Sequence, residues 1–120
     1  MDKKINFLHT CREAAAEAEK LFGMNARIIL AQGALESGWG TSMLATEHHN
    51  FFGLMGYGAS NAYWHGQRAT FETAYGTHHF RHYEATHLSF LDFARLPFQL
   101  PARSLRQGDR LQPLHQRTKR

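Results

Sequence analysis

Between residues 5 and 22, apolar side chains recur at Phe7, Leu8, Cys11, Ala14, Ala15, Ala18, Leu21 and Phe22, a helical period that Gly23 brings to a stop. Asn25 is placed to cap a second helix over residues 26–37. Ile28, Ile29, Leu30, Ala31, Ala34 and Leu35 surround that helix on nearly every side, which predicts that it is the buried one. Gly33 inside it costs up to ~1 kcal/mol relative to alanine, tolerable where another group packs closely. Thr41 or Ser42 opens a short third helix through Thr46, and Gly53, Gly56 and Gly58 mark turns. Alternation over residues 68–73, then Gly76, then residues 78–83 reads as the two strands of a hairpin. Helical spacing returns over residues 84–96, with Leu88, Leu91, Phe93 and Leu96 as apolar positions. The order of elements predicts a mainly α chain of the α+β class, a helical part interrupted by one small β-hairpin.

The segment Ala31-Gln32-Gly33-Ala34-Leu35-Glu36-Ser37-Gly38-Trp39-Gly40 sets a carboxylate on the last turn of an apolar helix, against glycines. An ionised Glu36 is disfavoured there by up to ~1 kcal/mol, because the helix C-terminus carries partial negative charge. Semi-burial beside Leu35 and Trp39 would disfavour the charged form further. A carboxylic acid kept protonated is what general-acid cleavage of a glycosidic bond requires. The plainer alternative is a surface carboxylate at a frayed helix end.

Four ordered blocks bear on that choice: AQGALESGWGTSMLA, HHNFFGLMG, YWHGQRATFET and FRHYEATHLSFLDFARL. In order and spacing, from about Phe7 to Leu96, they resemble the peptidoglycan-cleaving N-acetylglucosaminidase domain of glycoside hydrolase family 73, found in flagellar rod-associated hydrolases and autolysins. The resemblance implies a lysozyme-like fold, a helical lobe and a β-hairpin lobe with a groove between. It implies an endo-β-N-acetylglucosaminidase acting on peptidoglycan glycan strands, with Glu36 as general acid. Glu72, in the Thr70-Phe71-Glu72 block, matches the family's β-lobe acid and would act as base or electrostatic stabiliser, unless the substrate's 2-acetamido group is the nucleophile. Its alternative is a strand residue paired with Arg68 or Arg81. Glu47 matches no family acid, and Asp92 reads as a partner of Arg95 or a capping group. Asn50 matches the family's asparagine before the Phe-Gly turn, where it would pin the loop or bind an acetamido group. The family's lysine after that turn is missing, since residues 54–56 read Leu-Met-Gly.

Aromatic rings stack on the apolar faces of sugars. Trp39, Phe51, Phe52, Tyr57, Tyr63, Trp64 and Tyr83 could line a sugar groove; Phe51, Phe52 and Trp39 are more often core, and Tyr63 and Trp64, in a Gly/Asn-rich loop, are the stronger candidates for substrate contact. A lytic transglycosylase is the neighbouring reading, and a non-catalytic glycan-binding module is a different one.

Composition narrows the remaining classes. The chain has 120 residues, 42% hydrophobic and 20% charged, enough for one modest core. Its net charge of +4 is uneven: residues 1–96 carry eight Lys+Arg against nine Asp+Glu, whereas residues 97–120 carry six against one. A near-neutral body argues against a nucleic-acid partner. All three prolines lie after Leu96, so residues 1–96 read as the glucosaminidase-like domain and residues 97–120 as a basic Pro/Gln/Arg-rich tail. The family carries further helices and a functional tyrosine there; their absence from the tail suggests a truncated or frame-shifted product.

One cysteine, Cys11, allows no internal disulfide and reads as a buried thiol. The nine histidines form no zinc-binding spacing, so neither metal nor cofactor is expected. No apolar run is long enough to span a bilayer, and residues 1–20 lack the apolar stretch of a signal peptide. An envelope location, periplasmic or extracellular, would then need another export route, lysis, or a longer parent protein. A monomer is expected.

Overall fold

The structure, a computed structural model, describes residues 2–96. The chain order is α1 (Lys3–Phe22), α2 (Ala26–Ser37), α3 (Met43–His48), β1 (Arg68–Thr73), β2 (Gly76–Arg81) and α4 (Thr86–Ala94). The mainly helical fold with one antiparallel hairpin is the predicted one. Residues 97–120, expected to form a basic tail, lie outside the described residues.

Local caps set the helix ends. Asp2 accepts from the Lys4 amide at the start of α1, and Gly23 ends it in the left-handed conformation at φ 83°. The Asn25 side chain accepts from the Arg27 and Ile28 amides, closing the first turn of α2. Glu19 on α1 reaches the Ala26 amide at 3.0 Å and ties the two helices at this corner.

α1 packs against both α2 and α4. Its buried stripe of Phe7, Cys11, Ala14, Ala15 and Ala18 is mostly small, which allows the close approach of Ile29 and Ala34 from α2 and of Phe90, Leu91, Phe93 and Ala94 from α4. Burial pushes the Cys11 thiol up to about 12, so it stays protonated and inert. Phe51 and Phe52, from the loop after α3, complete this core. Phe52 stacks on Phe93 with centroids 4.2 Å apart and meets Phe90 edge-on.

Two expectations need correction. α2 is not buried on all sides: Ile28 is 58% exposed and Leu35 78%, because α1 and α4 cover only part of its circumference. On α1, Leu8, Leu21 and Phe22 are likewise exposed. Phe90, at 0% exposure, is a core residue that the spacing of α4 did not single out.

Gly33 sits where α2 meets the phenylalanine cluster. A Cβ there would lie 3.2 Å from the tip of Phe52 and 3.5 Å from Phe90. Phe52 is wedged between Phe90 and Phe93 and has little room to yield. Gly33→Ala should therefore destabilise the domain by about 1 kcal/mol, overpacking of ~1–3 kcal/mol outweighing the ~1 kcal/mol gain in helix propensity. A higher urea midpoint in the variant would contradict this.

In the hairpin, Thr73 pairs with Gly76 across a two-residue turn, Ala74-Tyr75. β2 thus begins two residues earlier than expected. Directly paired residues share a face, so Thr70, Glu72, Thr77 and His79 lie on one side and Ala69, Phe71, His78 and Phe80 on the other. The hairpin joins the loop after α3 through Arg81 N–H to Leu54 O at 2.9 Å and Gly56 N–H to His79 O at 2.9 Å.

Candidate active site

Glu36 occupies the last turn of α2, and the chain reverses immediately behind it. Gly38, Trp39 and Gly40 all have positive φ, at 60°, 60° and 79°. A bulky residue rarely adopts this conformation, so Trp39 stores strain that its neighbours must hold. Ser37, 1% exposed, does much of the holding. Its hydroxyl donates to Gly33 O at 2.6 Å and accepts from Gly40 N at 2.7 Å. The Ser37 carbonyl accepts from Thr41 N and Ser42 N, both at 3.1 Å. The turn fixes the end of α2 and leaves the Glu36 side chain in solvent, with Gln32 Nε2 3.4 Å from its carboxylate. The apolar flank expected beside Glu36 is not formed. Leu35 points outward, and Trp39 turns to α1, edge-on to Phe7 at 5.6 Å with the Lys4 ammonium 5.3 Å above its ring.

Glu72 stands on the exposed face of β1 and accepts from the Thr77 hydroxyl, its cross-strand neighbour, at 2.9 Å. The expected alternative of a pair with Arg68 or Arg81 is not what the structure shows, since Arg81 binds Asp92 instead. Glu36 and Glu72 each have their own local partner and belong to different parts of the fold, one to the helical lobe and one to the hairpin.

Asn50 is 1% exposed and fully engaged. Its amide donates to Leu54 O and Arg81 O, and its oxygen faces the amides of Phe52, Gly53 and Leu54. With both polar ends occupied, Asn50 pins the loop and joins it to the hairpin; the acetamido-binding role offered as its alternative would require breaking these bonds.

Trp64 does not present its face as expected. It is 2% exposed, its indole N–H donates to Gln67 O, and the Arg81 guanidinium covers the ring 4.0 Å from the centroid. Trp64 is therefore a packing residue. Tyr63 beside it is half-buried and edge-on to Phe22. Trp39 is half-buried between cavities of about 180 and 200 Å³, each below the ~300 Å³ of a typical ligand pocket. Tyr57, one of the groove candidates, is 54% exposed, and Tyr75, 92% exposed, is a ring on the hairpin that the sequence did not bring forward.

The larger omission is the cluster around Asp92. This carboxylate is 0% exposed and accepts from Arg81 and Arg95 at 2.7 Å each, from Asn61 at 3.1 Å, and from the Tyr83 hydroxyl. Arg81 also donates to Met55 O and Tyr57 O, and Asn61 accepts from the Tyr63 and Trp64 amides. Asp92 thus fastens the loop over residues 55–64 and the end of β2 to α4. Its pairing with Arg95 was readable as an i, i+3 contact; the partners from the hairpin and loop were not. The one available signal was an acid between Leu91 and Phe93 on an apolar helix, which needs buried partners.

Among the described residues, no group of three or more His, Cys, Asp or Glu could hold a metal ion, and no helix is long and apolar enough to cross a membrane.

The same helical lobe and hairpin occur in solved structures. The catalytic domain of the autolysin Auto from Listeria monocytogenes is 25% identical, with a TM-score of 0.66 over 79% of this chain and 56% of that one. A peptidoglycan hydrolase from Sphingomonas sp. A1 is 28% identical, with a TM-score of 0.62 over 80% of this chain and 62% of its own. A candidate endo-beta-N-acetylglucosaminidase of Streptococcus pneumoniae is 49% identical over 41 residues, 34% of this chain and 6% of that protein. The chain thus spans little more than half of the two structures and a small part of the pneumococcal protein. The family model described as mannosyl-glycoprotein endo-beta-N-acetylglucosaminidase matches residues 12–116. A match over most of the sequence, together with the shared fold, places the residues around Glu36 in a known lineage: this chain belongs to the Glucosaminidase family, glycoside hydrolase family 73.

Proposed function

We propose that this chain is the catalytic part of a peptidoglycan hydrolase that cleaves glycan strands after N-acetylglucosamine, with Glu36 as general acid. The observation that carries the proposal is the placement of Glu36. Its carboxylate is solvent-accessible at the end of a helix whose terminus is locked by the Ser37 hydroxyl and three successive left-handed residues. Such a mount holds a proton donor at a fixed point on an open surface, the geometry that protonation of a leaving-group oxygen needs. The family, and the peptidoglycan hydrolase of Sphingomonas among its neighbours, support the substrate class. The working location would be the cell wall or envelope, and no partner beyond the glycan strand is required.

Glu72 serves in this reading as the second carboxylate, acting as base or electrostatic stabiliser from the hairpin. Its support is chemical: it is an exposed acid that, among the described residues, is held by the Thr77 hydroxyl and by no cation, so its carboxylate is available to an oxocarbenium-like transition state. Glu72→Gln should lower turnover on purified peptidoglycan roughly tenfold, ~1.4 kcal/mol of transition-state stabilisation. That is less than the loss expected for Glu36, because the substrate's acetamido group can act as nucleophile in its place. Equal, complete loss in both variants would mean a strict two-carboxylate mechanism.

The defining experiment is mass analysis of muropeptides released from purified peptidoglycan. Fragments ending in reducing N-acetylglucosamine support the assignment. Terminal 1,6-anhydro sugars would make the protein a lytic transglycosylase, and binding without any released fragment would make it a glycan-binding module.

A further inference from the structure

Apart from the carboxylates, a pair of histidines joins the helical lobe to the hairpin. His48 closes α3, and His82 follows β2 directly; their Nδ1 atoms lie 2.9 Å apart and their rings meet edge-on at 5.1 Å. His48 also meets Phe71 edge-on at 5.9 Å, one residue before Glu72. The backbone carries the same junction, since Tyr83 N–H donates to His48 O and His82 N–H to Gln67 O, both at 2.9 Å.

We propose that His48 and His82 are positioning residues for the hairpin that carries Glu72, and that they hold it only while at least one of the pair is unprotonated. This rests on the proposed role of Glu72. The reasoning begins with the inventory of an imidazole: a bond between two Nδ1 atoms needs one N–H and one lone pair. A first added proton leaves that bond possible, with an imidazolium as donor. A second puts N–H against N–H and adds like charges across a half-buried contact, so the two protons bind in separate steps.

The groups around the pair act in the same direction, with one exception. Burial is the largest influence lowering His82 below its ordinary 6.5, followed by His48 and His49; Glu84 opposes them. Glu84 itself lies 3.5 Å from His65, both exposed. Glu47 precedes His48 on α3, Phe71 of β1 brings no charge, and Arg81 at the end of β2 is committed to Asp92. A histidine lowered in the folded state favours its neutral form. Its contribution is fully present above about 6.5 and is lost as the pH falls below that value.

Amide hydrogen exchange on the full chain tests the latch without reference to catalysis. After correction for intrinsic rates, hairpin amides should exchange about tenfold faster at about pH 5.5 than at about pH 7.5, while α1 amides stay protected. His82→Asn keeps a side-chain donor that does not titrate, and its hairpin amides should change less than about threefold over the same range. Hairpin amides that respond no more than those of α1, or a His82→Asn profile that follows the parent, would overturn the proposal. Imidazole titration by NMR gives a second measure that needs no variant: two separated steps for His48 and His82 support it, and independent ordinary titration refutes it. Turnover measured over the same pH range separates the two readings. A fall that follows hairpin opening supports both; opening with unchanged turnover leaves the latch standing and removes Glu72 from the mechanism.

Discussion

Glu36→Gln is expected to reduce release of muropeptides by roughly 100- to 10,000-fold, the range over which a positioned general acid contributes. Glutamine keeps the shape and the Gln32 side remains free to rearrange, but the amide cannot deliver the proton that the leaving oxygen requires. Because Glu36 is exposed and its side chain makes one long hydrogen bond among the described residues, the variant should unfold at nearly the same urea midpoint as the parent. Loss of turnover with unchanged stability is therefore the signature of the assigned role. Undiminished turnover would remove Glu36 from the mechanism, and a matched loss of stability would recast it as a structural residue. Ser37→Ala offers a contrast: it removes the bond to Gly40 N and frees the strained turn, so turnover and stability should both decline.

Helix ends were legible because caps are local. Asn25 needs only the amides two and three residues on, and Gly23 only the preceding turn, so residues 26–37 could be bounded from sequence. β1 followed from alternation. β2 did not fall where expected, because Gly76 looks like the centre of a turn yet pairs with Thr73, while Ala74 and Tyr75 make the turn itself. The misplaced burial on α2 has a different origin. Periodicity reports which positions are apolar, not how many elements will arrive to cover them, and Ile28 and Leu35 face a side that neither α1 nor α4 reaches.

The same limit governs the site. Glu36 and Glu72 could be put forward from the sequence because each lies in a compact motif. Trp64 was misread because its environment is non-local: the guanidinium that covers it comes from Arg81 at the end of β2, and that arginine is held by Asp92 on α4. His48 and His82 are likewise separated by 34 positions, and nothing in either local sequence announces the other. Contacts closing across lobes are invisible to spacing arguments. Here they decide which residues are free to meet a ligand.

Asp92→Ala should be the most damaging substitution to the fold. It leaves Arg81, 13% exposed, and Tyr83, 1% exposed, facing an uncompensated site, and it releases Asn61 from α4. Breaking a buried pair by removing one partner costs ~3–5 kcal/mol. A small domain has only ~5–15 kcal/mol in total, so the variant should sit close to its unfolding threshold at room temperature. The pH dependence supplies an independent check. Burial alone would push the Asp92 carboxyl up, but hydrogen bonds from Tyr83, Arg95 and Arg81, with the charge of Arg81, outweigh it and hold the group below its ordinary 3.8. A depressed acid contributes stability that is fully present above 3.8 and lost as the pH falls through its lowered value. Urea midpoints of the parent should therefore drop steeply in strong acid, whereas Asp92→Asn, already weakened at neutral pH, should lose less over the same interval. Parallel acid profiles for the two proteins would show that Asp92 is not the carboxylate that holds the hairpin and loop to α4.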